Sequence, residues 1–570
     1  MKKLILTMFI LIAILLSACG SKNETKQTTS LDLAGQKLKD FPARILQLTD
    51  LKELNLKDNE ISHIPSEIQR LTGLKVLDLR GNPVSEKNKE QLKKWLPNTK
   101  RLFTWLDWFT YITRQIADAL WGMPSIIILV GTGLYLTVRF KFIQGRGFKH
   151  AIELVTGKHD EKDDPGEVSH FQALSTALSA TVGTGNIAGV ATAIAVGGPG
   201  AVFWMWITAL VGMATKYASC TLALKYRDIG SDGQISGGPM YTIQKALNMP
   251  ILAYLFAGLA LIASFGIGNM VQANSVVDGL KMAIPILSDP EMASYKYYVG
   301  GFLAFAVGLV IIGGAKRIAR VASYIVPFMA VIYCGAALII LIANVSEIPE
   351  AFKTIFYLAF NPLPAVGGIA GIAVTTAIQK GVARGVFSNE AGLGSAPMAH
   401  AMAKTKEPVR EGLVAMLEPF IDTIVICTMT ALVIVIVGVW GANKPEGLTG
   451  SALSAYSFKL GFSGVFGNEF AHIGAWIVGI GLVFFAYSTI IAWSYYGDRS
   501  AEYLFGEKAV LPYRIVYTIL VVVGASIPVH LVWNLADIAN IFMALPNLVS
   551  LILLAGLVKK LGDDYFKRSE

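Results

Sequence analysis

Charge is what this chain has least of. Only 16% of its 570 residues are Asp, Glu, Lys or Arg, where a soluble globular chain carries about 25%. The deficit falls almost wholly within residues 121–558, so the first hundred residues and the remainder are different materials. Cysteine is scarce as well. Cys19, Cys220, Cys334 and Cys427 show no Cys-x-x-Cys spacing, which argues against a zinc ribbon or a disulfide framework. No zinc-finger spacing, RNA-binding module or basic recognition helix accompanies the net charge of +9, so nucleic acid has no support as a partner. The histidines, among them His170, His472 and His530, are scattered near the ends of apolar runs and read as surface or interface residues. No constellation for soluble-enzyme chemistry is present, and no cofactor is implied.

Apolar residues are what the chain has in plenty, at 54%, with a mean hydropathy of +0.53. They gather into eleven stretches near 121–138, 172–196, 200–224, 251–277, 297–313, 321–345, 365–387, 412–440, 472–496, 511–528 and 532–558. A bilayer core about 30 Å thick needs about 20 apolar residues per helix. The expected fold class is therefore an all-α polytopic membrane protein with eleven transmembrane helices. Arg139, Lys141, Arg146, Lys149, Lys158 and Lys162 crowd the first connection, and Lys316, Arg317 and Arg320 the fifth. Lys/Arg bias marks cytoplasmic loops, so the odd-numbered connections and the C-terminus are placed inside. The cationic excess is thereby accounted for by topology.

The front end reads MKKLILTMFILIAILLSACG: two lysines, a short apolar run and small residues, the pattern of a secretory signal. Leu16-Ser17-Ala18-Cys19 resembles the bacterial lipobox, which implies cleavage before Cys19, lipidation of its thiol, and a head held outside the inner membrane. A 23-residue repeat follows, in which Leu31-Asp32-Leu33, Leu54-Asn55-Leu56 and Leu77-Asp78-Leu79 fall in register, with Asn59 and Asn82 at equivalent places. The unit fits the leucine-rich repeat. Lys87 to Asn98 is expected to form a closing helix. The head's concave face is a candidate surface for an extracytoplasmic partner, and equally a capped spacer with no ligand. Residues 105–120 interleave aromatics with polar groups; Trp105, Trp108, Phe109 and Ile112 on one face suit a helix at the membrane interface. The expected division is 1–18 signal, 19–30 tether, 31–100 repeat head, 101–120 interfacial helix, 121–560 membrane domain and 561–570 cytoplasmic tail.

Two of the apolar stretches are interrupted. The second contains Ser179, Thr181, Val182, Gly183, Thr184, Gly185 and Asn186; the seventh runs from Ile372 to Arg384 through Thr375, Thr376, Gln379 and Lys380. Irregular backbone at membrane depth is tolerated where it is buried or lines a cavity, and paired interrupted spans in the two halves mark a secondary transporter. A half-helix starting after Asn186 would aim N–H groups at an anion, while the preceding half would offer carbonyls to a cation. A zwitterion and sodium suit those two poles. Candidate substrate contacts are Thr181, Gly183, Thr184, Gly185, Gln272, Asn274, Thr375, Thr376 and Gln379. Gln272 and Asn274 point to different faces, so at most one of them meets substrate. Ser488 and Thr489 are candidates to complete the ion site. Lys380 and Arg384 are read as gate residues whose ion-pair partners are to be found among Glu390, Glu418 and Asp422. A glycine-rich packing seam is the plainer reading of the same residues.

Gly197-Gly-Pro-Gly-Ala-Val-Phe-Trp-Met-Trp-Ile-Thr-Ala-Leu-Val-Gly212, Gly237-Gly-Pro-Met-Tyr241, Gly268-Asn-Met-Val-Gln272, Arg384-Gly-Val-Phe-Ser-Asn-Glu-Ala-Gly-Leu-Gly-Ser-Ala-Pro397, Tyr487-Ser-Thr489 and Met543-Ala-Leu-Pro-Asn547 resemble the bacterial sodium:alanine/glycine symporter family over roughly residues 103–560. The resemblance implies inverted five-helix repeats like those of the neurotransmitter:sodium symporter fold, with spans 2–6 and 7–11 as the repeats. It implies a substrate carboxylate at Thr184 and Gly185, and sodium at Ser179, Val182, Phe485, Ser488 and Thr489. A second ion site would draw on Thr181 and Asn186. The chain departs from the family at Ser219, where an acidic residue is usual, and in carrying the repeat head. The implied activity is inward, sodium-driven symport of alanine or glycine. Three alternatives stand: a tethered recognition protein whose head is the active part; a channel, which would need a continuous polar stripe that these spans lack; and a proton-coupled carrier, which would need an acidic group near the breaks, where the sequence leads us to expect none.

Overall fold

The structure is a computed structural model describing residues 30–159, 161, 164–229, 234–289, 292, 294–361, 373–445, 448–527 and 529–569. The signal and Cys19 lie outside the described residues. The chain divides into two units, Met1–Leu120 and Trp121–Glu570.

In the first unit, β1 (Ser30–Asp32), β2 (Glu53–Asn55), β3 (Val76–Asp78) and β4 (Lys100–Leu102) form one parallel sheet in that order. Leu31 pairs with Leu54 and Leu54 with Leu77, which is the 23-residue register of the sequence. Strands this short need help, and the repeated asparagines supply it. Asn59 donates to the carbonyls of Leu33 and Leu56, each at 2.9 Å, and accepts from Leu38 N at 3.1 Å. Asn82 repeats the pattern one turn on, donating to Leu56 O at 2.7 Å and accepting from Ile61 N at 3.0 Å. Beneath this ladder Ile45, Leu56, Ile61, Ile64, Ile68 and Leu77 are wholly buried. The closing helix α1 spans Glu86–Trp95, N-capped by Ser85. Its Asn88 ties back to both backbone groups of Ile64. The fourth strand, after the closing helix, has no leucine signature and was not foreseen. Helix α2 (Trp105–Leu120) ends the unit, with the Arg80 guanidinium 4.6 Å from the Trp105 ring and 5.0 Å from the Trp108 ring. Two of the aromatics read as membrane-facing therefore stack on a cation of the head itself.

The second unit is helical. Its long elements are α3 (Met123–Arg139), α4 (His170–Thr181), α5 (Val190–Gly197), α6 (Gly200–Lys225), α7 (Pro250–Phe265), α8 (Val271–Ala283), α9 (Tyr295–Ile311), α10 (Gly314–Ala343), α11 (Ile348–Phe360) and α12 (Val374–Asn389). They continue with α13 (Ala396–His400), α14 (Pro408–Ala415), α15 (Thr428–Ile436), α16 (Gly450–Phe466), α17 (Ala471–Phe505), α18 (Val510–Ser526) and α19 (Val529–Ser569). Among the described residues, seven helices are long and apolar enough to cross a membrane, or up to nine if each bent pair is one span. Helix α9 is a shorter apolar helix, and residues 362–372 of the expected seventh span fall outside the described residues.

Three stretches widen into π-helical turns: Gly185–Gly189, Gly266–Met270 and Phe420–Cys427. Such widenings are rare and gather at functional positions. The seventh span corrects the sequence reading. Helix α12 is continuous from Val374 to Asn389, so its interruption does not fall between residues 374 and 384. Glycines 381 and 385 serve packing instead, because a methyl on either would come within 2.3 Å of Ala201 O or Thr208 Oγ1 on α6. The chain leaves the helix at Glu390 (φ 54°), with Gly392 and Gly394 also at positive φ, before α13 begins.

Replacing Asn59 by Ala strands the Leu33 carbonyl and the Leu38 N–H, while Leu56 O keeps its bond from Asn82, at about 1–3 kcal/mol for each buried group left unpaired. Amide hydrogen exchange of the full chain should then accelerate across β1 and β2 and stay unchanged in α17.

Candidate functional site

Helix α4 starts firmly and stops abruptly. Ser169 Oγ accepts from Gln172 N at 3.3 Å while Gln172 Oε1 accepts from Ser169 N at 3.2 Å, a reciprocal cap. It ends because glycines at 183 and 185 each cost about 1 kcal/mol in a helix. Val182 leaves the helical region at ψ 87°, and the following half departs at 49°. Every residue from Ala173 to Ala191 is buried. Unpaired backbone groups there would cost several kcal/mol each, so their partners define the site.

Helix α17 supplies one set. Ser179 Oγ donates to Ser488 O at 2.8 Å, and Thr489 Oγ1 donates to Ser179 O at 3.0 Å and to Phe485 O at 3.0 Å. Ser488 Oγ donates to Phe485 O at 2.9 Å. Ser179, Phe485, Ser488 and Thr489 thus meet in one knot of neutral oxygens, all within 1% of full burial. Val182 is buried next to them, its N–H closing on Leu178 O at 2.7 Å. Gly183 is required there, since a methyl would lie 2.5 Å from Thr489 Oγ1. The same direction points to Gln272 Oε1 at 3.5 Å. Gln272 donates to Ile267 O at 3.0 Å, but among the described residues its buried Oε1 has no hydrogen-bond partner, nor has Thr184 Oγ1.

The other partners come from the Phe420–Cys427 turn. Asn186 Oδ1 accepts from Gly183 N at 2.9 Å, pinning the break, and Asn186 Nδ2 donates to Asp422 Oδ1 at 2.6 Å. Asp422 Oδ2 accepts from Thr423 Oγ1 at 2.7 Å, and Thr423 accepts from Asn389 Nδ2 at 3.2 Å. Ser388 closes the ring, its Oγ 3.4 Å from Cys427 Sγ. A methyl on Gly185 would stand 3.0 Å from Ser388 Cα. The end of α12, not its beginning, is what faces the first break. Thr181 Oγ1 donates back to Ala177 O at 3.2 Å within its own helix.

Other sequence candidates lie elsewhere. Thr375, Thr376 and Gln379 sit on the first turns of α12, whose Ala377 and Lys380 pack at Gly197, the far end of α5. Nine residues of helix, about 13 Å, separate Gln379 from Ser388. Asn274 donates to Gly524 O at 3.2 Å and Ile527 O at 2.9 Å, facing α18, while Gln272 faces the break. Arg384 pairs with Asp537 of α19 at 2.6 Å, and not with Glu390, Glu418 or Asp422. The guanidinium also lies 5.3 Å from the Phe387 ring and 5.2 Å from the Trp533 ring, which pack on each other at 4.7 Å. Glu390 accepts from Trp493 Nε1 at 2.8 Å and from Ser395 Oγ at 2.5 Å. The expectation that no acidic group lies at the breaks is therefore corrected: Asp422 and Glu390 are both there. Ser219 donates to Asn547 Oδ1 at 3.3 Å, and Asn547 donates to Gly392 O at 2.9 Å, so Ser219 props the turn that follows α12.

Sequence reasoning missed a buried ionic chain. His170 Nδ1 contacts one oxygen of Glu411 and His400 Nδ1 the other; His400 Nε2 meets Glu418 Oε1 at 2.7 Å, and Lys216 Nζ meets Glu418 Oε2 at 2.8 Å. All five side chains are at most 2% exposed, which corrects the placement of His170 at a surface. The chain joins α4, α6, α13 and α14 behind the breaks. Its signal was legible in the spacing of Glu411, Glu418 and Asp422, seven and four residues apart on one helical stripe of an apolar span.

Residues 106–570 match the model of the sodium:alanine symporter family, and residues 26–84 that of a leucine rich repeat. The sodium/alanine symporter AgcS of Methanococcus maripaludis is 47% identical over 454 residues, covering 79% of this chain and 96% of that protein. An uncharacterized transporter of Haemophilus influenzae is 47% identical over 460 residues, covering 80% and 96%. The crystal structure of MhsT in complex with L-phenylalanine superposes with a TM-score of 0.49 at 13% identity, over 68% of this chain and 89% of that one.

Substituting Glu418 by Gln leaves Lys216 buried beside a neutral amide, a loss of about 3–5 kcal/mol. The Glu418→Gln, Lys216→Met double variant should recover much of that loss in a detergent thermal-unfolding assay, because the ammonium stranded by the single substitution is gone.

Proposed function

The chain belongs to the sodium:alanine symporter family, whose coupling ion is sodium, and from that premise we propose that it carries alanine or glycine inward with sodium by alternating access. The observation that carries the reading is the knot of Ser179, Phe485, Ser488 and Thr489 across the first break. Its oxygens are neutral and come from two separate elements, which suits a monovalent hard cation that ties those elements together when bound. Sodium would take carbonyl oxygens near Ser179, Val182 and Phe485 and the hydroxyls of Ser488 and Thr489. The substrate carboxylate would lie against the amides of Thr184 and Gly185. Thr184 Oγ1 and Gln272 Oε1, buried without partners among the described residues, are the remaining groups offered to a small solute beside Gly183. The tight packing around Gly183 and Gly185 favours a solute no larger than a few heavy atoms beyond its backbone.

Eleven spans in two inverted five-helix repeats, with the head and a lipidated Cys19 outside and the C-terminus in the cytoplasm, complete the proposal. Lys380, Arg384 and Glu390 would belong to its gate, Arg384 through Asp537. Inward movement of one net charge gains about 2.3 kcal/mol per 100 mV, to which the sodium gradient adds. A second reading, proton coupling, is favoured by one observation: Asp422 and Glu390 are buried at the two breaks.

Proteoliposomes separate the readings. Labelled alanine should accumulate on an inward sodium gradient and stop doing so when potassium or choline replaces sodium. Accumulation on a pH gradient alone, undiminished without sodium, rejects sodium coupling in favour of the proton. Thr489→Val should raise the sodium concentration for half-maximal uptake by about tenfold, the effect of one lost ligand worth about 1.4 kcal/mol. Deletion of residues 21–100 should leave uptake intact; its loss with normal insertion would make the head functional.

A further inference from the structure

Away from the breaks, two histidines and a glutamate converge in the connection after α3. His150 and Glu153 lie one turn apart on the helix Phe148–Val155. The chain then folds back through Gly157, at φ 78°, and returns His159 to the same spot. His150 Nδ1 stands 3.6 Å from Glu153 Oε2, and His159 Nε2 stands 3.7 Å from that same oxygen. Hydrogen bonds of this kind measure about 2.7–3.2 Å, so these separations are too long to be good ones. They do match the edge of a tetrahedron whose metal–ligand bonds are about 2.0–2.2 Å, which is about 3.4 Å. All three ligand atoms fall within 4.8 Å of one another.

Two further features point the same way. His159 Nε2 is buried and has no hydrogen-bond partner among the described residues, although it faces Glu153. The outward nitrogen of His150, Nε2, shares a 2.6 Å hydrogen bond with the Tyr565 hydroxyl on α19. Ligating histidines are held in this manner by an oxygen on their second nitrogen. Arg410 fixes the third ligand's backbone by donating to His159 O at 3.0 Å. Lys158 reaches Glu153 through the other carboxylate oxygen, Oε1, at 3.5 Å, which leaves Oε2 to the imidazoles. The buried trio Cys220, His400 and Glu418 is also close enough to share an ion. There, however, both nitrogens of His400 and both oxygens of Glu418 already have partners.

We infer that His150 Nδ1, Glu153 Oε2 and His159 Nε2 form a three-ligand site for a divalent transition metal of the zinc type, with a fourth position open. Two imidazoles and one carboxylate select such an ion over magnesium or calcium. Bound there, the ion cross-braces the connection after α3 to the C-terminal helix through Tyr565.

The test uses the full-length protein in detergent, stripped with chelator, titrated with Zn²⁺ and then assayed for retained metal by mass spectrometry. One zinc per chain is expected. His150→Ala, Glu153→Gln and His159→Ala should each abolish stoichiometric retention. Tyr565→Phe should weaken it by about tenfold, as loss of an outer partner does. Lys158→Ala should tighten it, since a competing cation is removed; a purely structural ion pair predicts no gain. Cobalt substitution gives a second readout, a visible absorption band that disappears in the same three variants. Sodium-driven uptake preserved in those variants shows that the fold is intact. No retention by the unmodified chain, or retention lost in Cys220→Ser and kept in His150→Ala, overturns the assignment.

Discussion

The membrane unit depends on an exchange of hydrogen bonds between an interrupted helix and an intact one. Ser179 gives its hydroxyl to a carbonyl of α17, and Thr489 of α17 gives its hydroxyl to the carbonyl of Ser179. A helix that stops inside hydrocarbon leaves backbone groups that cannot turn to water. The exchange satisfies one of them without continuing the helix, which is what allows Val182 and Gly183 to remain irregular. Asn186 then secures the far side, holding Gly183 N with its oxygen and Asp422 with its nitrogen. The proposed ion and solute sites follow from this local shortage of backbone partners.

The second break is stabilised by other means. Glu390 adopts the left-handed conformation, uncommon for a residue with a side chain, and its carboxylate is gripped by Trp493 and Ser395. Gly268 permits Trp493 to come close, because a methyl there would overlap its Cβ at 2.3 Å. Behind this, the alternating carboxylates and basic side chains from His170 to Lys216 fix α13 to three neighbours. A buried ionic chain of this type adds little net stability over an apolar equivalent. What it adds is register: α13 is held by both nitrogens of a single imidazole.

Legibility followed the length scale of the physics. The repeat head was readable almost residue by residue, since its strands, its asparagines and its buried leucines all recur at one period. The first break was readable because two glycines and four polar residues cannot be an ordinary membrane helix. The seventh span was misread for a related reason. The polar residues up to Arg384 and Gly381 among them look like an interruption, but Gly381 is a contact point for α6, and sequence alone does not distinguish a missing side chain that bends from one that lets a neighbour in. Thr375, Thr376 and Gln379 stand instead on the continuous first turns of α12. Asp422 and Arg384 were recognised as interesting and given the wrong partners, because pairing across helices is set by packing that spacing along one helix does not encode. The fourth strand, Lys100–Leu102, has no apolar alternation and owes its place to β3 alone.

The asparagine ladder of the head carries a consequence for how such a chain can vary. Asn59 and Asn82 make equivalent bonds to equivalent carbonyls one period apart, so each coil of the head meets its neighbours through the same interface. Stability in such stacks is close to a sum over adjacent coils. Inserting or deleting a whole 23-residue coil leaves both end caps with the neighbours they require, whereas a single extra residue would throw the ladder out of step. The head is thus a stack of quantised length, able to grow or shrink by whole coils without losing its ladder.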